Sequence, residues 1–176
     1  MFTENFKVVI EGKPPGLMQH RYAGIKAGPN RAGVIPDAAE EVEKALYRTA
    51  DGQVYEPAIH IKTAMIKAAT NFKIPGQGKK TFKDAFRAGV FVQPAEIPLD
   101  APWIIDERPE VVNRARISRA RPLFKEWSLE FEIEVIDERI GDQLLKTALT
   151  EAGQYHGIAE RRPEYGRFDI VSFEKV

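Results

Sequence analysis

An α+β fold follows from three patterns in these 176 residues. Trp127, Leu129, Phe131, Ile133 and Val135 alternate with Ser128, Glu130, Glu132 and Glu134, the two-residue period of a strand with one face in a core. Ile61, Met65, Ala68, Ala69 and Phe72 recur at helical spacing, as do Ile140, Leu144, Leu145, Ala148 and Ala152. In chain order the elements read strand, helix, strand, strand, helix, strand, with a long insertion after the first strand.

Each element has a local cause. Phe6, Val8 and Ile10 alternate with Lys7, Val9 and Glu11, a first strand that the breaker cluster Gly12-Lys13-Pro14-Pro15-Gly16 ends. Residues 16–36 are rich in Gly and Pro without periodicity and predict a long, partly mobile loop. Asp37, with Glu40 three residues on, resembles a capping box opening a short helix through Val42, Ala45 and Leu46. Asp51-Gly52 predicts a turn, and Gln53-Val54-Tyr55 a brief extended piece. Pro57 suits the first turn of the next helix, where its missing N–H costs nothing.

That helix stops before Pro75-Gly76, and Gly76-Gln77-Gly78-Lys79-Lys80 predicts a flexible basic loop, loosely held over 76–82. Gly89–Val92 reads as a strand, and Pro94, Pro98 and Pro102 make the following stretch irregular. Val111–Ala120 reads as one extended segment leading through a turn near Pro122 into the alternating strand. The second helix ends at Gly153 or Gly157, and Phe168–Phe173 is the last strand. Two βαβ halves in this order make one ferredoxin-like, RRM-like α+β domain over residues 1–176. It is an antiparallel sheet with helices on one face and loop insertions, the main one at about 16–50. The open face of such a sheet is where RRM-type modules bind nucleic acid.

Composition narrows the function classes. With no cysteine and three well-separated histidines (His20, His60, His156), no thiolate metal site, disulfide framework or paired-histidine zinc motif is expected, and no cofactor. The N-terminus lacks the basic and apolar regions of a signal peptide, and no apolar run reaches membrane-spanning length. An interior, cytosol-like, cytoplasmic address without membrane contact is the expectation.

Charge is the most pointed signal. The formal net charge is zero, yet Lys62–Arg87 holds seven basic residues against one acid, and Arg108–Lys125 six against one. The acids collect in Asp37–Glu56 and Glu126–Asp142. Separated charge makes strong local fields on a neutral molecule, and a phosphate backbone needs a positive groove. In Asn113–Arg121, Arg114 and Arg116 share one strand face, and Arg119 and Arg121 have the opposite parity. Each guanidinium can grip a phosphate bidentately, or can instead pair with Glu130, Glu132 and Glu134 across a hairpin. Residues 157–168 join the last helix to the last strand with Gly157, Gly166, Arg161, Arg162, Arg167 and Tyr165, a second cation-rich connection. The candidate nucleic-acid contacts are therefore Lys62, Lys67, Lys79, Lys80, Arg114, Arg116, Arg119, Arg121, Arg161 and Arg162. Tyr22, Phe82, Phe86 and Tyr165 are candidate base-stacking aromatics.

The ferredoxin-like halves, the helix opening Tyr55-Glu56-Pro57-Ala58-Ile59-His60-Ile61-Lys62 and the Gly/Arg loop before the last strand together resemble the RAMP superfamily, the RNA-binding backbone subunits of CRISPR effector complexes. The resemblance implies subunits that polymerise along a nucleic-acid strand, with a basic palm lined by Lys62 and Lys67. It implies a thumb drawn from the 16–50 insertion or the 73–85 loop. The small size fits a stand-alone relative carried by a phage or mobile element.

Some RAMP relatives cut RNA by attack of a 2′-hydroxyl with a histidine as general base. His60, beside Lys62, is the weak catalytic candidate here, with His156 and Arg161 second. Asp84, Asp100 and Asp106 are too scattered in sequence to suggest metal-dependent cleavage. The reading is a sequence-tolerant, single-stranded nucleic-acid-binding protein that self-associates head to tail and is more a binder than an enzyme. Both RNA and DNA satisfy it. A virion or complex scaffold binding only protein is the competing class, since the acidic blocks can dock on the basic blocks of a neighbouring copy.

Overall fold

The Trp127–Val135 alternation forms β8 (Ser128–Val135) of a computed structural model that describes residues 1–21 and 37–176. Leu129, Phe131, Ile133 and Val135 are buried, each contributing about 1.5–3 kcal/mol by leaving water, and Glu130 and Glu132 are exposed. β8 pairs antiparallel with β1 (Glu4–Gly12), in which Phe6, Val8 and Ile10 are buried. It pairs on its other side with β4 (Val90–Gln93), and β1 pairs with β9 (Phe168–Lys175). The sheet order β4-β8-β1-β9, antiparallel throughout, is the ferredoxin-like arrangement the element order predicts.

Two helices cover the buried face. α2 (Ala58–Ala69) begins directly after Pro57 and buries Ile61, Ala64, Met65, Ala68 and Ala69. α4 (Asp142–Glu151) buries Leu145, Ala148 and Leu149. Their apolar stripes join β1, β8 and Phe168 in one hydrophobic cluster. α1 (Ala38–Ala45) is capped by Asp37, whose carboxylate accepts the Ala39 N–H at 3.0 Å. The rest of the 16–50 insertion contains β2 (Leu17–Met18), and the 22–36 part of the predicted loop lies outside the described residues.

Several elements differ from the sequence expectation. Residues 74–80 form a turn closed by backbone bonds: the Ile74 N–H donates to Lys80, Gln77 to Ile74, and Lys80 to Gln77. α3 (Lys83–Gly89) follows, a helix that no sequence pattern announces. It is too short to show periodicity and is held by Phe82 and Phe86, which are buried one turn apart. The proline-rich stretch contains β5 (Glu96–Pro98), paired with β3 (Tyr55–Pro57).

The arginine segment is not one strand. β6 (Ile104–Val112) and β7 (Ala115–Phe124) form a hairpin that turns at Asn113-Arg114, both with positive φ, while Pro122 lies inside β7. Together with β2 they make a second sheet, β2-β7-β6. β7 and β8 therefore never pair, and the expected ladder of arginines against Glu130, Glu132 and Glu134 does not form.

Candidate nucleic-acid interface

The open face of the four-stranded sheet presents Glu130 and Glu132 from β8, Glu11 from β1, and Asp169 and Glu174 from β9, with Lys7 opposite Glu132. A phosphate chain is repelled by this face. The acidic excess weighs against the RRM-type expectation of binding there, although Lys7 lies between Glu132 and Glu174 and Lys13 pairs with Asp169.

Cations gather instead on the helical side, at the connection between α4 and β9. α4 runs into a π-helical turn, Ala152–His156, which Gly157 ends at φ +67° with its N–H donating to Ala152. Ala159, Arg161 and Gly166 also have positive φ, so the loop coils tightly. Gly166 is required there: a Cβ would meet the Ile158 carbonyl oxygen at 1.8 Å. Its N–H donates to Gly16, the Ile158 N–H donates to Gly166, and the Glu160 N–H donates to Met18. These bonds fasten the loop to the β2 segment.

The coil brings Arg162 over α2. A cavity of about 160 Å³ is lined by His60, Thr63 and Lys67 from α2 and by Gly157, Ile158 and Arg162 from the loop. A broader neighbour of about 480 Å³ shares Lys67 and Arg162 and adds Tyr155, His156, Glu160, Arg161 and Pro163, so three cations and one carboxylate line it. Lys67 is exposed and makes no ion pair among the described residues. Among the described residues the Arg162 side chain donates only to the Ala159 carbonyl, at 2.8 Å. Burial, and then the Lys67 charge, hold the His156 imidazole below its ordinary pKa. Glu160 is held below the usual carboxylate range, first by its contact with His20 and then by the charges of Arg121 and Arg161.

Beneath the smaller cavity lies a buried polar chain. The fully buried Glu56 accepts from His60 Nδ1 at 2.5 Å and from Gln19 Nε2 at 2.8 Å, and Gln19 Oε1 accepts the Tyr47 N–H. The carboxylate thus holds one edge of the His60 ring, and the same residue lines the cavity. The sequence reading named His60 but not Glu56 or Gln19. The signal for Glu56 was its place one helical turn before His60.

The other candidates scatter. Lys62 lies about 140° around the helix from Lys67, its Nζ 4.5 Å from the Phe91 ring centroid, and burial lowers its pKa. The two lysines assigned to a common palm thus face different surroundings. Lys79 and Lys80 are exposed on the 74–80 turn. Arg114 and Arg116 are exposed at the hairpin tip. Arg119 and Arg121 both reach Glu41 of α1, at 3.5 and 3.2 Å, and Arg121 is only 6% exposed. Arg161 pairs with Glu110, and Arg108 with Asp106 and the Tyr165 hydroxyl. Phe82, Phe86 and Tyr165 are buried, so the expectation that they stack bases is overturned, because core packing claims their rings. Tyr22 lies outside the described residues. No described helix is long and apolar enough to cross a membrane.

No family model matches the chain, and no curated protein matches it. Among solved structures it is similar to a chain in the cryo-EM structure of the Type III-B Cmr-beta bound to cognate target RNA. The TM-score is 0.59 with 12% identity over 99% of this chain. The chain spans 61% of the length of that neighbour. At this identity the likeness carries the fold.

Proposed function

We propose that the protein is a single-stranded nucleic-acid-binding subunit, RAMP-related, that holds a phosphate backbone in the groove between α2 and the 157–166 loop without strict sequence preference. The observation that carries this reading is the convergence of Lys67 and Arg162, two cations without carboxylate partners among the described residues, from separate elements onto shared cavities. The RNA in the Cmr-beta neighbour favours RNA over DNA as the ligand. Assembly of copies head to tail along a strand belongs to the same proposal. It is supported by the acidic sheet face and the exposed Arg114 and Arg116, which give one copy surfaces of both signs.

The test is a salt titration of oligonucleotide affinity for the wild type and the Lys67→Ala/Arg162→Ala variant. Each lost phosphate contact should reduce the logarithmic salt slope by about 0.7 on a single strand, and unrelated sequences should weaken alike. A wild type without affinity at low salt overturns the proposal and leaves the protein-binding scaffold standing. An unchanged slope moves the site to the hairpin tip.

A second reading rests on the Glu56–His60 pair. A histidine oriented by a buried carboxylate, beside Lys67 and Arg162, has the parts to take a proton from a 2′-hydroxyl while the cations stabilise the phosphate. It predicts metal-independent RNA cleavage lost in His60→Ala and reduced in Glu56→Gln, with a 2′-deoxy strand bound but uncut. Intact RNA after prolonged incubation with the wild type removes this reading and leaves the binding groove.

A further inference from the structure

Among the described aromatic rings, Tyr155 is the most exposed, at 66%, whereas Tyr165, Phe82 and Phe86 are buried. Its place makes this exposure meaningful. It stands on the π-helical turn and lines the same cavity as Lys67, His156, Arg161 and Arg162, where the one carboxylate, Glu160, is turned to His20 at 3.7 Å. Its ring contributes to no core cluster, and its hydroxyl makes no hydrogen bond among the described residues.

The backbone beneath it is pinned. Gly153 packs so closely on β9 that a Cβ would meet the Phe168 carbonyl oxygen at 2.3 Å. Ala152 is fully buried, and Arg167 Nε donates to the Gln154 carbonyl at 2.8 Å. The extra residue of a π-turn shifts the side chains after it around the axis, and such turns recur where a side chain must be aimed. The result is a large, flat, amphipathic ring on a rigid base at the rim of a cationic groove. That combination is what single-strand binders use: cations follow the phosphates, and an aromatic face takes a base of any identity. A tyrosine platform loses little conformational freedom on binding, having few torsions to fix.

We infer that Tyr155 is a base-stacking platform, on which a nucleobase of a single strand lies while the adjoining phosphates rest on Lys67 and Arg162. The inference depends on the groove reading above and adds a base contact to it. The ring selects for an unstacked base, so single strands bind and a duplex, whose bases are already stacked, does not.

The experiment compares a short oligouridine with an abasic ribose–phosphate strand of equal length, by fluorescence anisotropy. The proteins are the wild type, Tyr155→Ala, Tyr155→Phe and Lys67→Ala/Arg162→Ala. Tyr155→Ala should weaken oligouridine binding about 5- to 150-fold while leaving abasic-strand affinity and the salt slope unchanged. Tyr155→Phe should retain wild-type affinity. Both variants should melt with the wild type, because the side chain is exposed. Equal affinity of Tyr155→Ala and wild type for oligouridine overturns the inference while the groove stands. A loss that is the same on the abasic strand also overturns it, since a base contact is absent there. If the wild type binds neither strand, the groove reading and this inference fall together.

Discussion

The two basic regions of this molecule have opposite fates. On the β6–β7 hairpin, Arg108, Arg119 and Arg121 are bound to Asp106 and Glu41, and Glu110 takes Arg161 from the neighbouring loop. In the groove between α2 and the 157–166 loop, Lys67 has no carboxylate partner and Arg162 contacts only a carbonyl among the described residues. A run of arginines therefore measures stored charge, and only the fold sets how much of it is available to a ligand. The hairpin uses most of its charge to hold α1 and the loop in place, and keeps free only Arg114 and Arg116 at the tip.

The shape of the groove depends most on Gly166. Gly166→Ala puts a Cβ against the Ile158 carbonyl at a backbone φ of +81°. It should destabilise the protein by about 2–4 kcal/mol and abolish groove binding, seen as a lowered midpoint in urea and lost anisotropy. Wild-type stability in this variant would mean that the coil of the loop is not what shapes the groove.

Within the hairpin, Arg121→Ala should cost on the order of 3 kcal/mol, because Glu41 of α1 loses a buried partner. Arg114→Ala/Arg116→Ala, at exposed positions, should move stability by less than about 0.5 kcal/mol. Chemical denaturation of the two variants side by side sharpens the division between structural and available cations. Equal losses would erase it.

The smallest effect is on pH dependence. Glu160 has a lowered folded pKa, so the stability it supplies is present above its ordinary value of 4.5 and is lost as pH falls through the lowered one. His156 also has a lowered pKa: the unfolded chain takes the proton first, so stability declines as pH drops past 6.5 and levels off below the folded value. Thermal melts across this range should give a shallower acid slope for Glu160→Gln in the lower window and for His156→Gln in the upper one. Slopes identical to wild type would place both groups in ordinary solvent.

The sheet and its helices were legible because their signals are local. The alternation of β8, the stripe of α2, the cap at Asp37 and the breakers after β1 each act within a few residues. Sequence periodicity also determined which residues form the core, since Leu129–Val135 and Ile61–Ala69 have only one apolar face each to bury. Short elements were missed for the same reason: α3 and β5 are shorter than the windows in which periodicity shows, and the hairpin turn at Asn113-Arg114 has no glycine to mark it.

What tertiary structure alone decided is which polar groups are satisfied. Glu56 meets Gln19 across 37 residues, Arg121 meets Glu41 across 80, and Arg108 meets Tyr165 across 57. An ion pair or a buried hydrogen bond depends on distance and desolvation, which composition does not encode. Cations thus became scaffold on one side of the molecule and the lining of a groove, rimmed by Tyr155, on the other.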